Sequence, residues 1–72
     1  MTLLELVNTI RSKRGLVHLN ALTDEMKLRG DIGFDSLDLA EFVVKVERQY
    51  GVDVFALGVL ETIGEVRQHL GI

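Results

Sequence analysis

Ser36 is the residue of this 72-residue chain best placed for chemistry. It heads a stretch of helical periodicity, where a serine usually caps the helix by offering its oxygen to an unpaired amide. Asp35, one residue earlier, is itself a strong cap. With Asp35 in that role, Ser36 becomes the first helical residue and its hydroxyl is left free. No histidine is near it in sequence to act as a base, and a bundle of this size has little pocket for a Ser-His-Asp triad. Ser36 therefore reads as a residue that something else modifies. A phosphate ester there would lie against free amides at the positive end of a helix. The other candidates are weaker. His18 and His69 are the two imidazoles, in different segments; without a third ligand close by, no metal site is expected. The acids of residues 31–38 do not follow the alternating oxygen positions of a calcium loop. The chain has no cysteine, which excludes disulfides, Cys-ligated zinc and a thiol nucleophile of its own.

Four helical segments can position these groups. The first covers residues 2–14. Thr2 and Glu5 have capping-box spacing, and Leu3, Leu6, Val7 and Ile10 make one apolar stripe. Arg11, Lys13 and Arg14 suit the negative end of the helix dipole, and Gly15 is its stop. Residues 16–35 form a long connection, unusual in so small a domain unless functional. Leu16, Leu19, Leu22, Met26, Leu28 and Ile32 are expected to pin it to the core. The second helix covers residues 36–50, with Gly51 as its stop. Leu39, Phe42, Val43, Val46 and Tyr50 share a core arc, while Asp38, Lys45 and Gln49 lie opposite and are expected to face water. Leu37, Ala40 and Val44 form a separate apolar strip, bordered by Glu41, Glu47 and Arg48. Residues 52–54 are expected to be extended and 56–61 a short helical turn. Thr62 and Glu65 repeat the capping-box spacing and open a last helix to Leu70, with Ile63, Val66 and Leu70 inward and Gly71 ending it. The expected fold is an all-α single domain over residues 1–72, a small bundle of three main helices plus a minor one.

Charge narrows the partners. Residues 31–50 hold five acids and two bases, and the rest of the chain balances, so this segment owns the formal charge of −3. With no basic stripe and few aromatics, nucleic acid is not an expected partner. An acidic segment suits a basic protein surface, or serves simply as a solvated face. The longest near-apolar run, residues 54–60, is far too short to span a bilayer. No basic start followed by an apolar stretch marks a signal peptide, so a soluble, cytoplasmic protein is expected.

The run Leu28-Arg29-Gly30-Asp31-Ile32-Gly33-Phe34-Asp35-Ser36-Leu37-Asp38-Leu39-Ala40-Glu41-Phe42 resembles the core motif of acyl carrier proteins, in which an Asp-Ser-Leu triplet opens the second helix of a four-helix bundle. The likeness extends to the amphipathic first helix, the long first loop, the Val46-Glu47-x-x-Tyr50 helix end and the Thr62-Ile63-Gly64-Glu65-Val66 entry to the last helix. The resemblance implies a non-enzymatic carrier whose Ser36 accepts 4′-phosphopantetheine from coenzyme A through a phosphopantetheinyl transferase. It gives Asp35 and Leu37 as flanking residues that the transferase recognises. It assigns Asp38, Ala40, Glu41, Val44 and Glu47, together with Leu37, to a surface for the transferase and for acyl-loading, acyl-transfer or condensing enzymes. Apolar contacts would anchor such complexes, and each surface ion pair would add only ~0–1 kcal/mol. The carrier is expected to act as a monomer.

By the same resemblance an acyl chain would slide between the second and third helices, lined by Phe42, Val46, Leu57 or Leu60; the alternative is that these side chains fill their own core. Residues 54–60 lack the acids of general fatty-acid carriers, and Phe55 stands where many have proline, which points to a dedicated carrier for a specialised pathway. Gly33-Phe34-Asp35 looks acyl-type rather than peptidyl-type. Fatty-acyl, polyketide, aminoacyl and aryl cargo stay open, as do an aminoacyl or peptidyl carrier and an unmodified helical interaction module on the same scaffold. A small hydrolase using Ser36 is the weakest reading.

Overall fold

Thr2, Asp35 and Thr62 each start a helix in the same way. Each has extended backbone, accepts a hydrogen bond from the amide three residues on, and has its own amide bonded by the acid at that position, Glu5, Asp38 or Glu65. The computed structural model describes residues 1–55 and 60–72, and these helices are α1 (Leu3–Lys13), α2 (Ser36–Tyr50) and α3 (Ile63–Leu70). Gly15, Gly51 and Gly71 take positive φ just beyond their ends, as expected of stops. The described residues are otherwise irregular except for one antiparallel bridge between Lys27 and Thr62. Three helices are thus present among them, and the minor helical turn expected over 56–61 falls mainly on residues outside the described set.

The apolar stripe of α1 packs across the arc of α2. Leu6, Val7, Ile10, Phe42, Val46, Ile63 and Val66 are all buried, joined by Leu28, Ile32 and Phe34 from the long connection and by Val54. The Phe34 and Phe42 rings meet at 5.5 Å in a tilted arrangement, a favoured geometry for aromatic pairs. Val43, Tyr50 and Leu70 are half-buried against the same core. Residues 52–54 are not a strand: Asp53 accepts from the Phe55 amide at 3.0 Å, closing a turn, and Val54 points inward.

The connection between α1 and α2 is non-helical, as expected, but it is fastened along its length. The Asn8 side chain, nearly buried, donates to the Leu19 carbonyl at 3.0 Å and accepts from its amide at 2.8 Å, acting as a backbone partner. Further on, the Leu28 amide donates to the Glu61 carbonyl at 2.8 Å, and the Ile63 and Gly64 amides donate to the carbonyls of Met26 and Asp24. Arg67 of α3 reaches back to Asp24 at 2.7 Å and to the Leu22 carbonyl at 3.1 Å. Leu22, Leu28 and Ile32 are buried and Leu19 and Met26 partly so, but Leu16 is exposed and does not pin the loop.

At Gly64 this loop comes close to the start of α3. A β-carbon there would lie 2.9 Å from the Asp24 β-carbon and 3.0 Å from its carbonyl oxygen. Alanine would gain at most about 1 kcal/mol in helix propensity, less than the ~1–3 kcal/mol typical of overpacking. Gly64→Ala is therefore expected to lower the urea midpoint, whereas Gly30→Ala, whose β-carbon would meet only Lys27 at 3.7 Å, leaves it nearly unchanged.

Candidate functional site

At the head of α2 the two carboxylates of the capping box leave Ser36 unoccupied. Asp35 accepts from the Asp38 amide at 2.8 Å, and Asp38 accepts from the Asp35 amide at 3.1 Å. Ser36 is the first residue of the helix and is exposed, as is Leu37 beside it at 78%. Among the described residues the Ser36 hydroxyl has one hydrogen-bond neighbour, the Arg29 guanidinium, which donates at 3.3 Å. The expected Asp35 cap and an exposed Ser36 as first helical residue are thus met, but the hydroxyl is engaged by Arg29 rather than free.

Asp38 departs from expectation. It is buried, not water-facing, so the carboxylate itself is not part of an open partner surface. Its Oδ2 accepts from Arg14 at 2.7 Å as well as from the Asp35 amide. The cause is local: an acid three residues past a cap folds back onto the helix end, and a carboxylate drawn inward this way requires a cation. Arg14 supplies it from the end of α1, and also donates to the Gly33 carbonyl at 2.8 Å and stands 4.0 Å from Asp35. Arg11, one helical turn earlier, is buried and donates to the carbonyls of Val17 and Ile32. Gly33 between these anchors has φ +86°, a conformation that a side chain would strain. Two arginines of α1 thus hold the segment that delivers Ser36. As sequence they read only as helix-dipole partners, because the carbonyls and carboxylate they hold are distant in the chain.

The remaining expected surface residues divide. Leu37, Ala40, Val44 and Glu47 are exposed along α2. Glu41 is half-buried and already paired, with Lys13 at 2.9 Å and Lys45 at 3.9 Å. Lys45 is itself half-buried, while Gln49 is exposed as expected. His18 lies 2.6 Å from the Ser12 hydroxyl and His69 against the Glu65 carbonyl, and the structure brings neither to Ser36. Among the described residues no three metal-ligating side chains gather, and no helix is long and apolar enough to cross a membrane.

A cavity of about 250 Å³ opens beside the site, walled by Leu28, Leu39 and Leu60 and bordered by Lys27 and Arg29. Phe42 and Val46 do not line it; both are sealed in the core. Leu57, the other expected lining residue, lies outside the described residues.

The family model described as "Phosphopantetheine attachment site" matches residues 5–70. An acyl carrier protein of Thermotoga maritima is 35% identical over 66 residues, 89% of this chain and 82% of that protein. An acyl carrier protein of Saccharopolyspora erythraea is 43% identical over 49 residues, 65% of this chain and 52% of that protein, so this second match spans about half its length. No solved structure matches the chain significantly.

The hydrogen bond from the Asp38 amide, aided by the Arg14 charge, holds the Asp35 carboxyl below its ordinary pKa. A folded pKa below the unfolded one means that the ionised group's contribution is complete above the unfolded value, ~4, and is lost as pH falls through the folded one. Urea denaturation of the wild type should lose stability over that acid range, and Asp35→Asn, which caps without ionising, should lose less. A carboxyl titration of Asp35 by NMR at or above the ordinary value would contradict this account.

Proposed function

The chain belongs to the acyl carrier protein family, whose members carry covalently attached 4′-phosphopantetheine, and on that premise we propose that Ser36 is the attachment residue. The chain has two serines. Ser12, also exposed, sits in the last turn of α1 with its oxygen held 2.6 Å from His18. Ser36 stands at a helix start, exposed, relieved of capping by Asp35, with a cation as neighbour. That pairing of a spare hydroxyl with a guanidinium fits a residue that will bear a phosphodiester, and it is the observation that carries the proposal. When attached, the prosthetic group supplies the thiol that this cysteine-free chain lacks, and acyl intermediates are held on it as thioesters.

The chain's own residues present Ser36 and do not activate it. Asp35 is a poor base for the hydroxyl, because its pKa is lowered and its oxygen is engaged on the Asp38 amide. The proton lost when the Ser36 oxygen bonds to phosphorus therefore passes to a base that the transferase provides, and coenzyme A loses its nucleotide portion as the phosphorus–oxygen bond to it breaks. Leu37, Ala40, Val44 and Glu47 form the surface offered to the transferase and to acyl-loading, acyl-transfer or condensing enzymes. Leu37 and Val44 are its apolar anchors, 78% and 49% exposed. The cargo is an acyl chain of a fatty-acid, polyketide or other specialised pathway. The leucine-walled cavity beside the site favours an apolar chain over an aminoacyl group.

Incubation of the unmodified protein with coenzyme A, magnesium and a broad-range phosphopantetheinyl transferase should add one phosphopantetheine by mass. Ser36→Ala should abolish the gain, Ser12→Ala should leave it intact, and Leu37→Asp should slow loading without changing the helical signal. No gain with several transferases, or a gain that survives Ser36→Ala, refutes the assignment.

A further inference from the structure

We propose that Arg29 is the anion-binding residue of the attachment site, its guanidinium taking the phosphodiester oxygens once Ser36 is esterified. The inference rests on the reading of Ser36 as the attachment residue. Arg29 lies in the turn where the amides of Asp31 and Ile32 both donate to the Lys27 carbonyl. From there it reaches the Ser36 oxygen at 3.3 Å, longer than the ~2.9 Å usual for such a bond. Three other arginines are committed. Arg11 holds the carbonyls of Val17 and Ile32, Arg14 holds Asp38 and the Gly33 carbonyl, and Arg67 holds Asp24 and the Leu22 carbonyl. Arg29 enters no ion pair among the described residues.

The acids near it in sequence face elsewhere. Asp31 accepts from the Lys27 amide at 2.7 Å, and Asp35 accepts from the Asp38 amide. Arg29 is thus a cation held at the positive end of α2, where the helix dipole repels it, with a neutral hydroxyl as its partner. An ester on Ser36 puts phosphorus one bond, and its charged non-bridging oxygens two bonds, from the atom to which the guanidinium already donates. The planar fork of arginine matches two phosphate oxygens. It also offsets the repulsion between that phosphate and Asp35, whose nearest cation, Arg14, is shared with Asp38.

The test uses wild type, Arg29→Met and Arg29→Lys, each prepared unmodified and loaded, with loading verified by mass. Arg29 is exposed, so both variants are expected to keep the helical signal of the wild type. In the wild type the Arg29 Nε–H resonance should shift on loading. The phosphorus resonance of the loaded wild type should differ from that of loaded Arg29→Met, with Arg29→Lys between them. The difference should shrink as salt screens an exposed pair, and loading should raise the urea midpoint more in wild type than in Arg29→Met. Loaded wild type and Arg29→Met with coincident phosphorus resonances and equal loading-induced midpoint changes would overturn the proposal. So would slower loading of Arg29→Met with an unchanged phosphorus resonance, which would make Arg29 a transferase contact instead. Failure of the wild type to gain mass would refute the Ser36 reading first, and this inference with it.

Discussion

The first amides of any helix have no partner within it, and at α2 two carboxylates answer them. Asp35 takes the amide of Asp38, and Asp38 returns to the amide of Asp35. Because aspartate fills the cap, the serine that follows keeps its hydroxyl. The cost is a buried carboxylate at Asp38, and the guanidinium of Arg14 offsets it from another helix. The position of the site is therefore tied to the packing of α1 on α2. Whatever moves Ile10 and Val7 against Phe42 and Val46 also moves Arg14, and with it the end of α2 that presents Ser36.

A chain of this length has little core to stabilise a long irregular segment. Besides its buried leucines, Ile32 and Phe34, the connection from α1 to α2 is held by polar side chains used as substitutes for backbone. Asn8 pairs with both backbone groups of Leu19, and Arg11 gathers two carbonyls, one at each end of the loop. On the other flank the loop meets the entry to α3, close enough at Gly64 that a β-carbon would collide with Asp24. These bonds add to the apolar anchors of the loop, Leu22, Leu28, Ile32 and Phe34. They also place the exposed turn carrying Arg29 within reach of the serine.

Helix starts, stops and the core stripe were legible because they are encoded by residues a few positions apart. Thr2 and Glu5, Thr62 and Glu65, and the arc from Leu39 to Val46 required no knowledge of the rest of the chain. Ser36 was legible for the same reason, with Asp35 as its neighbour. What was missed depends on contacts distant in sequence. Arg11 and Arg14 look like dipole partners until the loop near residue 32 is known to pass beside them. Angular position on the helix places Asp38 in water, yet its role in the cap and its bond to Arg14 draw it inward. Leu16 has the composition of a core residue, but follows directly on the Gly15 stop and remains exposed. Arg29 lies seven residues from Ser36, and a turn between them, not helical or strand periodicity, brings them together.

On the proposed reading, the same pairing pattern governs how partners are met. Glu41 is engaged by Lys13 and Lys45 within the chain, so a basic residue on a partner must compete for it. Asp38 is withdrawn altogether. Charge then contributes mainly to steering the encounter, with Glu47 the acid left open on this face, and the apolar strip of Leu37, Ala40 and Val44 supplies the contact area. A narrow apolar strip with weak charge reinforcement gives complexes that dissociate readily. That property matches a carrier that must leave one enzyme for the next, and it follows from internal ion pairs that first serve to hold α1 on α2.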